Sequence, residues 1–274
     1  AFFTHVTYLN KQYNIFNRKK KGVHNMQTIL KVKDVTKNYN KNQKPSLQKV
    51  SFNVKAGEFI GIMGASGSGK TTLLNVLSTI DKPTSGEIYI NGVDLRGLSD
   101  AASADFRRDY LGFIFQEYFL LDSLTIRENI AVPLTLQKLS PKKIEKLVKS
   151  LAERFGIASQ LDKYPSELSG GQRQRASAAR AIVKKPSILF ADEPTGALDS
   201  NSATELLNTL YEANSELNTT ILMVTHDPYA ASFANRILTF KDGHIIQELH
   251  KTNKNRQCFY EQIVEEVSKL DTNR

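Results

Sequence analysis

Apolar residues change their period along this chain, and the changes mark out its elements. Val50-Ser51-Phe52-Asn53-Val54 alternates, which predicts a strand with one buried face. Thr28 to Val35 is read as a strand too, although Ile29, Lys31, Lys33 and Val35 separate only in part from Leu30, Val32 and Asp34. Phe59-Ile60-Gly61-Ile62-Met63 is continuous, as in a central strand covered on both sides. Lys70 to Thr79 reads as a helix. Glu87 to Ile90 followed by Asn91-Gly92 reads as a strand and a tight turn. Ser140-Pro141 opens a further helix, with Ser140 expected to cap it. There Ile144, Leu147, Val148, Leu151, Ala152 and Phe155 share one face, and Gly156 supplies the stop. Strand–helix alternation returns with Ser187–Ala191, Ser202–Glu216 and Thr220–Thr225.

This order predicts an α/β fold with a mainly parallel sheet, an N-terminal antiparallel β part and an inserted helical lobe at about residues 117–168. Neither an internal repeat nor a low-complexity linker interrupts it, so one unit with two lobes is expected over residues 26–250. Residues 251–274 read as a helical tail. Residues 1–25 read as a flexible basic leader or an overextended start.

Composition narrows the function classes. Of the 274 residues, 40% are hydrophobic and 24% charged, ordinary values for a globular protein. No window approaches the run of about 18 apolar residues that a membrane-spanning helix needs, and no signal-peptide pattern is visible. The single cysteine, Cys258, excludes an internal disulfide and suits a reducing compartment. The net charge of +9 would point to nucleic acid, but residues 1–25 carry +5 and no acid. A solvated basic leader explains that excess, and no nucleic-acid partner is expected; attraction to anionic lipid is the weaker alternative.

Three polar devices carry the chemistry. Gly64-Ala65-Ser66-Gly67-Ser68-Gly69-Lys70-Thr71 fits the phosphate-loop pattern and lies between a strand and a helix. Its glycines let backbone amides close around phosphate oxygens, and the helix start favours the anion. Lys70 is expected to reach the β- and γ-phosphates, Thr71 to offer its hydroxyl to Mg2+, and Thr72 to complete the loop's grip. Asp192 ends an apolar strand, where an acid can hold Mg2+. Glu193 is the expected base for the attacking water. The third device, Ser169-Gly170-Gly171-Gln172, is preceded by Leu168 and followed by a helix expected over Gln174–Val183.

In this order the devices resemble the ATP-binding subunits of ABC transporters, from about Met26 to Leu249. The resemblance implies a P-loop NTPase core and further roles. Gln116, after Gly112-Phe113-Ile114-Phe115, would sense Mg2+ and couple to the transport channel. His226, after Met223-Val224-Thr225, would contact the γ-phosphate, and Tyr39 would stack on adenine. Ser169, Gly170, Gly171, Gln172 and Asp199 would meet the ATP of a second copy in a head-to-tail dimer. Asn40 stands where the family often has glycine.

Finer likeness points to the bacitracin-export, antimicrobial-peptide-resistance group. It rests on residues 64–75, Leu121-Asp122-Ser123-Leu124-Thr125, residues 190–200 and the tail Arg256-Gln257-Cys258-Phe259-Tyr260-Glu261-Gln262-Ile263. The implied protein is an ATPase at the cytoplasmic face of the plasma membrane, held there by a permease, with a sensor histidine kinase as a further partner. Alternatives are a lipoprotein-release or cell-division ATPase of the same branch, and an ABC ATPase of DNA repair or translation.

Overall fold

Alternation within a few strands builds both cores of the molecule. The computed structural model describes residues 27–40, 44–252 and 255–272; the basic segment 1–25 lies outside them. A six-stranded sheet runs β10-β9-β3-β8-β7-β6, where β3 is Phe59–Met63, β6 Leu111–Ile114, β7 Ile188–Asp192, β8 Ile221–Thr225, β9 Arg236–Lys241 and β10 His244–His250. All its pairings are parallel except β10 with β9. Successive side chains of a strand point to opposite faces. Ile60, Ile62, Phe190, Leu222, Val224 and Leu238 therefore enter one core, and Phe59, Met63, Leu189, Ala191, Ile221 and Met223 the other.

The first core is closed by an antiparallel sheet, β2-β1-β4-β5, and by helix α1 (Lys70–Leu77). Here β1 is Thr28–Lys37, β2 Leu47–Lys55, β4 Ser85–Ile90 and β5 Val93–Asp94. The irregular alternation of β1 has a local cause. Its register with β2 shifts between Val32 and Val35, and Asp34 is left-handed at φ 50°. The extra residue returns Val35 to the buried side with Leu30 and Val32.

The second core joins the helices. Between α2 (Asp100–Tyr110) with β6 and the later strands lie α3 (Ile126–Leu136), α4 (Pro141–Arg154) and α5 (Gly170–Ile182). Helix α4 buries Val148 and Ala152, and Gly156 is left-handed at φ 62°. Ser140 stands at its N-cap, but its side chain makes no cap bond. The backbone does that work instead: Lys143 N, which the side chain would have met, donates to Ser140 O at 2.9 Å. Helix α5 begins four residues before the expected Gln174. Ser169 accepts from Gln172 N, and Gln172 returns a bond to the Ser169 backbone, so a capping box starts the helix on two glycines.

Helices α6 (Ser200–Leu217), α7 (Pro228–Ala231) and α8 (Arg256–Thr272) complete the fold. Phe259 and Ile263 root α8 in the second core. Its Arg256 guanidinium lies 4.3 Å from the Phe233 ring centre and 4.8 Å from that of Tyr229. No helix among the described residues is long and apolar enough to cross a membrane.

Candidate functional site

Parallel strands end on one edge of a sheet, and that edge gathers the candidate residues. The glycine loop follows β3, Gln116 follows β6, Asp192 and Glu193 end β7, and His226 follows β8. All but Asp192 border a cavity of about 640 Å3 lined by Ser46, Ala65, Ser66, Gly67, Gly69, Lys70, Thr71, Thr72, Gln116, Glu193 and His226.

The loop is shaped by close backbone approaches. A side chain at Gly64 would put its Cβ 2.2 Å from Phe240 O, and at Gly69 2.4 Å from Ser46 O. Gly69 is left-handed at φ 105°, and it starts α1 with no side-chain cap and no acid in the first turn. Those first amides therefore have no competitor within the helix for an anion. Ser68 O accepts from Gly243 N at 2.9 Å, which backs the loop with the β9–β10 turn. Lys70 is buried, and its Nζ donates to Gly64 O and Ala65 O at 2.7 and 2.8 Å. Burial pushes its ammonium below the ordinary lysine range, opposed by Glu193 and Asp192.

The acids face that lysine. Burial, then the neighbouring Glu193, push the Asp192 carboxyl up, opposed by Lys70. Its Oδ1 is buried and has no hydrogen-bond partner among the described residues. Glu193 adopts a left-handed backbone at φ 45°, held by its N–H on Val224 O at 2.9 Å and its carbonyl under Gly196 N at 3.0 Å. Its Oε1 lies 2.9 Å from His226 Nδ1, and the imidazole is 71% exposed. Gln116 packs against Gly196, where an added Cβ would meet its amide at 3.1 Å.

The other candidates stand apart from this cavity wall. Tyr39 is 60% exposed, with Lys37 Nζ 4.6 Å from its ring centre. Partial burial and a hydrogen bond to Asp81 raise its hydroxyl pKa, and a Thr72 hydrogen bond opposes them. Ser169, Gly170, Gly171 and Gln172 form the start of α5, where Ser169 is exposed, Gly170 and Gln172 are half-buried and Gly171 is buried. Asp199 caps α6, accepting from Asn201 N and Ser202 N, both at 3.0 Å, and from Ser202 Oγ at 2.7 Å.

Sequence reasoning missed Ser46, a loop residue with no motif around it. It also missed Gln174, which is fully buried and donates to Phe115 O and Pro194 O. A signal for Gln174 existed: it shares the i, i+3, i+4, i+7 face of α5 with Ser177, Ala178 and Ala181, all buried.

Comparison with known proteins gives one consistent result. A family model described as ABC transporter matches residues 47–196. The bacitracin export ATP-binding protein BceA of Halalkalibacterium halodurans is 52% identical over 86% of this chain and 94% of that protein. The ABC transporter ATP-binding protein YxdL of Bacillus subtilis is 48% identical over 90% of this chain and 96% of that protein. Among solved structures, the ATP-binding cassette MJ0796, dimeric in a post-hydrolysis state bound to ADP and Pi, has a TM-score of 0.75 and 38% identity. The match covers 82% of this chain and 99% of that one.

Proposed function

Because the chain belongs to the ABC transporter family of ATP-binding proteins, it binds and hydrolyses ATP, and we propose that it does so as a head-to-tail dimer that powers a permease acting on bacitracin-like peptides. Lys70 and the free amides of α1 hold the β- and γ-phosphates. Tyr39 supports the adenine. Mg2+ suits the remaining groups: the unpartnered Asp192 carboxylate oxygen, the Thr71 hydroxyl and the Gln116 amide are hard oxygen ligands. Among the described residues no cluster of three or more His, Cys, Asp or Glu forms a metal cage, so the ion would be shared with the phosphates and neutralise their charge.

Glu193 takes a proton from the water that attacks the γ-phosphorus. The bond to the ADP oxygen breaks, and ADP leaves with its negative charge. His226, bonded to Glu193 at 2.9 Å, orients that carboxylate and faces the terminal phosphate. Ser169 to Gln172 and Asp199 serve the nucleotide of the second copy. The observation that carries this reading is the division of the molecule: Lys70, Glu193 and His226 border one cavity, and the exposed Ser169 is not part of its lining.

The peptide substrate is inferred from the bacitracin-export relative, and the position at the cytoplasmic face of the membrane from the permease that such subunits drive. Glu193→Gln with ATP is expected to double the mass seen by light scattering; a persistent monomer would overturn the shared site. A strain lacking the gene should become bacitracin-sensitive and be rescued by the parent gene but not by E193Q. Unchanged sensitivity would remove the peptide assignment while leaving the ATPase intact.

A further inference from the structure

Gln174 lies one turn beyond Ser169 on α5, with no solvent exposure. Its Nε2 donates to Phe115 O at 2.9 Å and Pro194 O at 2.7 Å. These carbonyls belong to the residue before Gln116 and the residue after Glu193. Two carbonyl acceptors fix the amide's orientation, since Oε1 in that place would face two oxygens. Both amide protons are thus committed, and Oε1 is buried with no partner among the described residues.

The rest of α5 grips the same segments. Arg180 donates to Tyr118 O at 2.9 Å, and the Arg173 guanidinium lies 5.1 Å from the Tyr118 ring centre. At the helix start, an added Cβ on Gly171 would come within 2.6 Å of Ser202 Oγ, the hydroxyl that donates to Asp199. One helix therefore touches the segments of Gln116, Glu193 and Asp199.

We propose that Gln174 is a positioning residue that transmits engagement of Ser169 by the second copy's nucleotide to Gln116 and Glu193 of its own chain, coupling the two hydrolysis sites. This rests on the shared-site reading above. A helix moves as a rod, so displacement at Ser169 carries Gln174 with it. Its side chain is fully buried, and of its two hydrogen bonds the one to Pro194 O is buried and the one to Phe115 O half-buried, so exchange for water is disfavoured and the Gln116 and Glu193 segments follow. A residue that only filled space would be replaceable by an apolar side chain of equal size.

Gln174→Met tests this, because it keeps the volume and removes both donors. The parent ATPase is expected to show a Hill coefficient approaching about 2, the number of sites. Q174M should lower it to about 1 and reduce kcat ~10-fold, with the ATP affinity of the monomer, measured by calorimetry, essentially unchanged. Parent-like cooperativity and kcat would overturn the proposal, as would parallel loss of affinity and kcat, which marks a structural role. If Q174M fails to fold, Gln174→Asn retains a buried amide one methylene too short for both carbonyls, and the same decoupling is expected. Light scattering separates the two layers. If E193Q dimerises with ATP and Q174M stays cooperative, the coupling alone fails. If E193Q remains monomeric, the shared site fails and the coupling with it.

Discussion

Two glycine-containing turns each open a helix in this protein, and they are built oppositely. At α1 the N-cap is left-handed Gly69, with no side-chain cap, and buried Lys70 fastens the loop from within. At α5 the N-cap is Ser169, whose hydroxyl and backbone are bound into a box with Gln172. The first turn keeps its amides available for an anion and is already fastened, by Lys70 to Gly64 O and Ala65 O and by Gly243 N to Ser68 O, before one arrives. The second satisfies part of its own polar demand while exposed, and its box must yield for a ligand to gain full use of it. A preorganised turn suits affinity; a self-satisfied turn suits a contact made only when a partner closes on it.

The difference can be sharpened by substitution. Glu193→Gln, at the cavity bordered by the first turn, should lower kcat about 10²–10⁴-fold by removing the general base, read by phosphate release. Ser169→Ala should lower kcat about 10²–10³-fold while calorimetry shows near-parental ATP affinity. It should also cost about 1 kcal/mol of stability from the lost cap. Lys70→Ala should do the reverse and weaken ATP binding about 100-fold, through lost charge-assisted bonds to phosphate. Equal effects of S169A and K70A on affinity would erase the distinction between the turns.

The smallest effect concerns the far end of the second helix. Lys184, just past α5, donates through Nζ to Arg107 O at 3.0 Å and to Arg108 O at the end of α2. Burial pushes its ammonium down to about 8. Between that value and the ordinary lysine range, the unfolded chain holds a proton that the folded chain has released, so stability rises with pH across this window. Urea midpoints from pH 7.5 to 10 should show that rise in the parent, and Lys184→Met should lack it. An identical rise in both would place the titrating group elsewhere.

The parts legible in the sequence are those with strong local rules. Phe59–Met63 reads as a buried strand because both faces are apolar, Ser187–Ala191 as the apolar strand before the paired acids, and the glycine loop reads from its spacing. The start of α5 was hidden because two glycines disfavour helix, and only the Ser169–Gln172 box offsets them. Helix α2 escaped notice since it buries only Ser103 and Phe106. The bulge at Asp34 blurred the period of β1. For Gln174 the helical face signalled burial but not the partners: these are backbone carbonyls 59 and 20 residues away, and carbonyls leave no mark in a sequence.

Glu193 carries a further consequence in its backbone. Left-handed geometry disfavours most residues with a Cβ by about 1–2 kcal/mol; glycine would remove that cost, and asparagine would lessen it through local hydrogen bonding of its short side chain. A library screened for heat resistance alone should therefore enrich Gly or Asn at position 193 and yield sturdy proteins that cannot turn over. Thermal selection on this scaffold has to be paired with an activity screen, or it will discard the chemistry first.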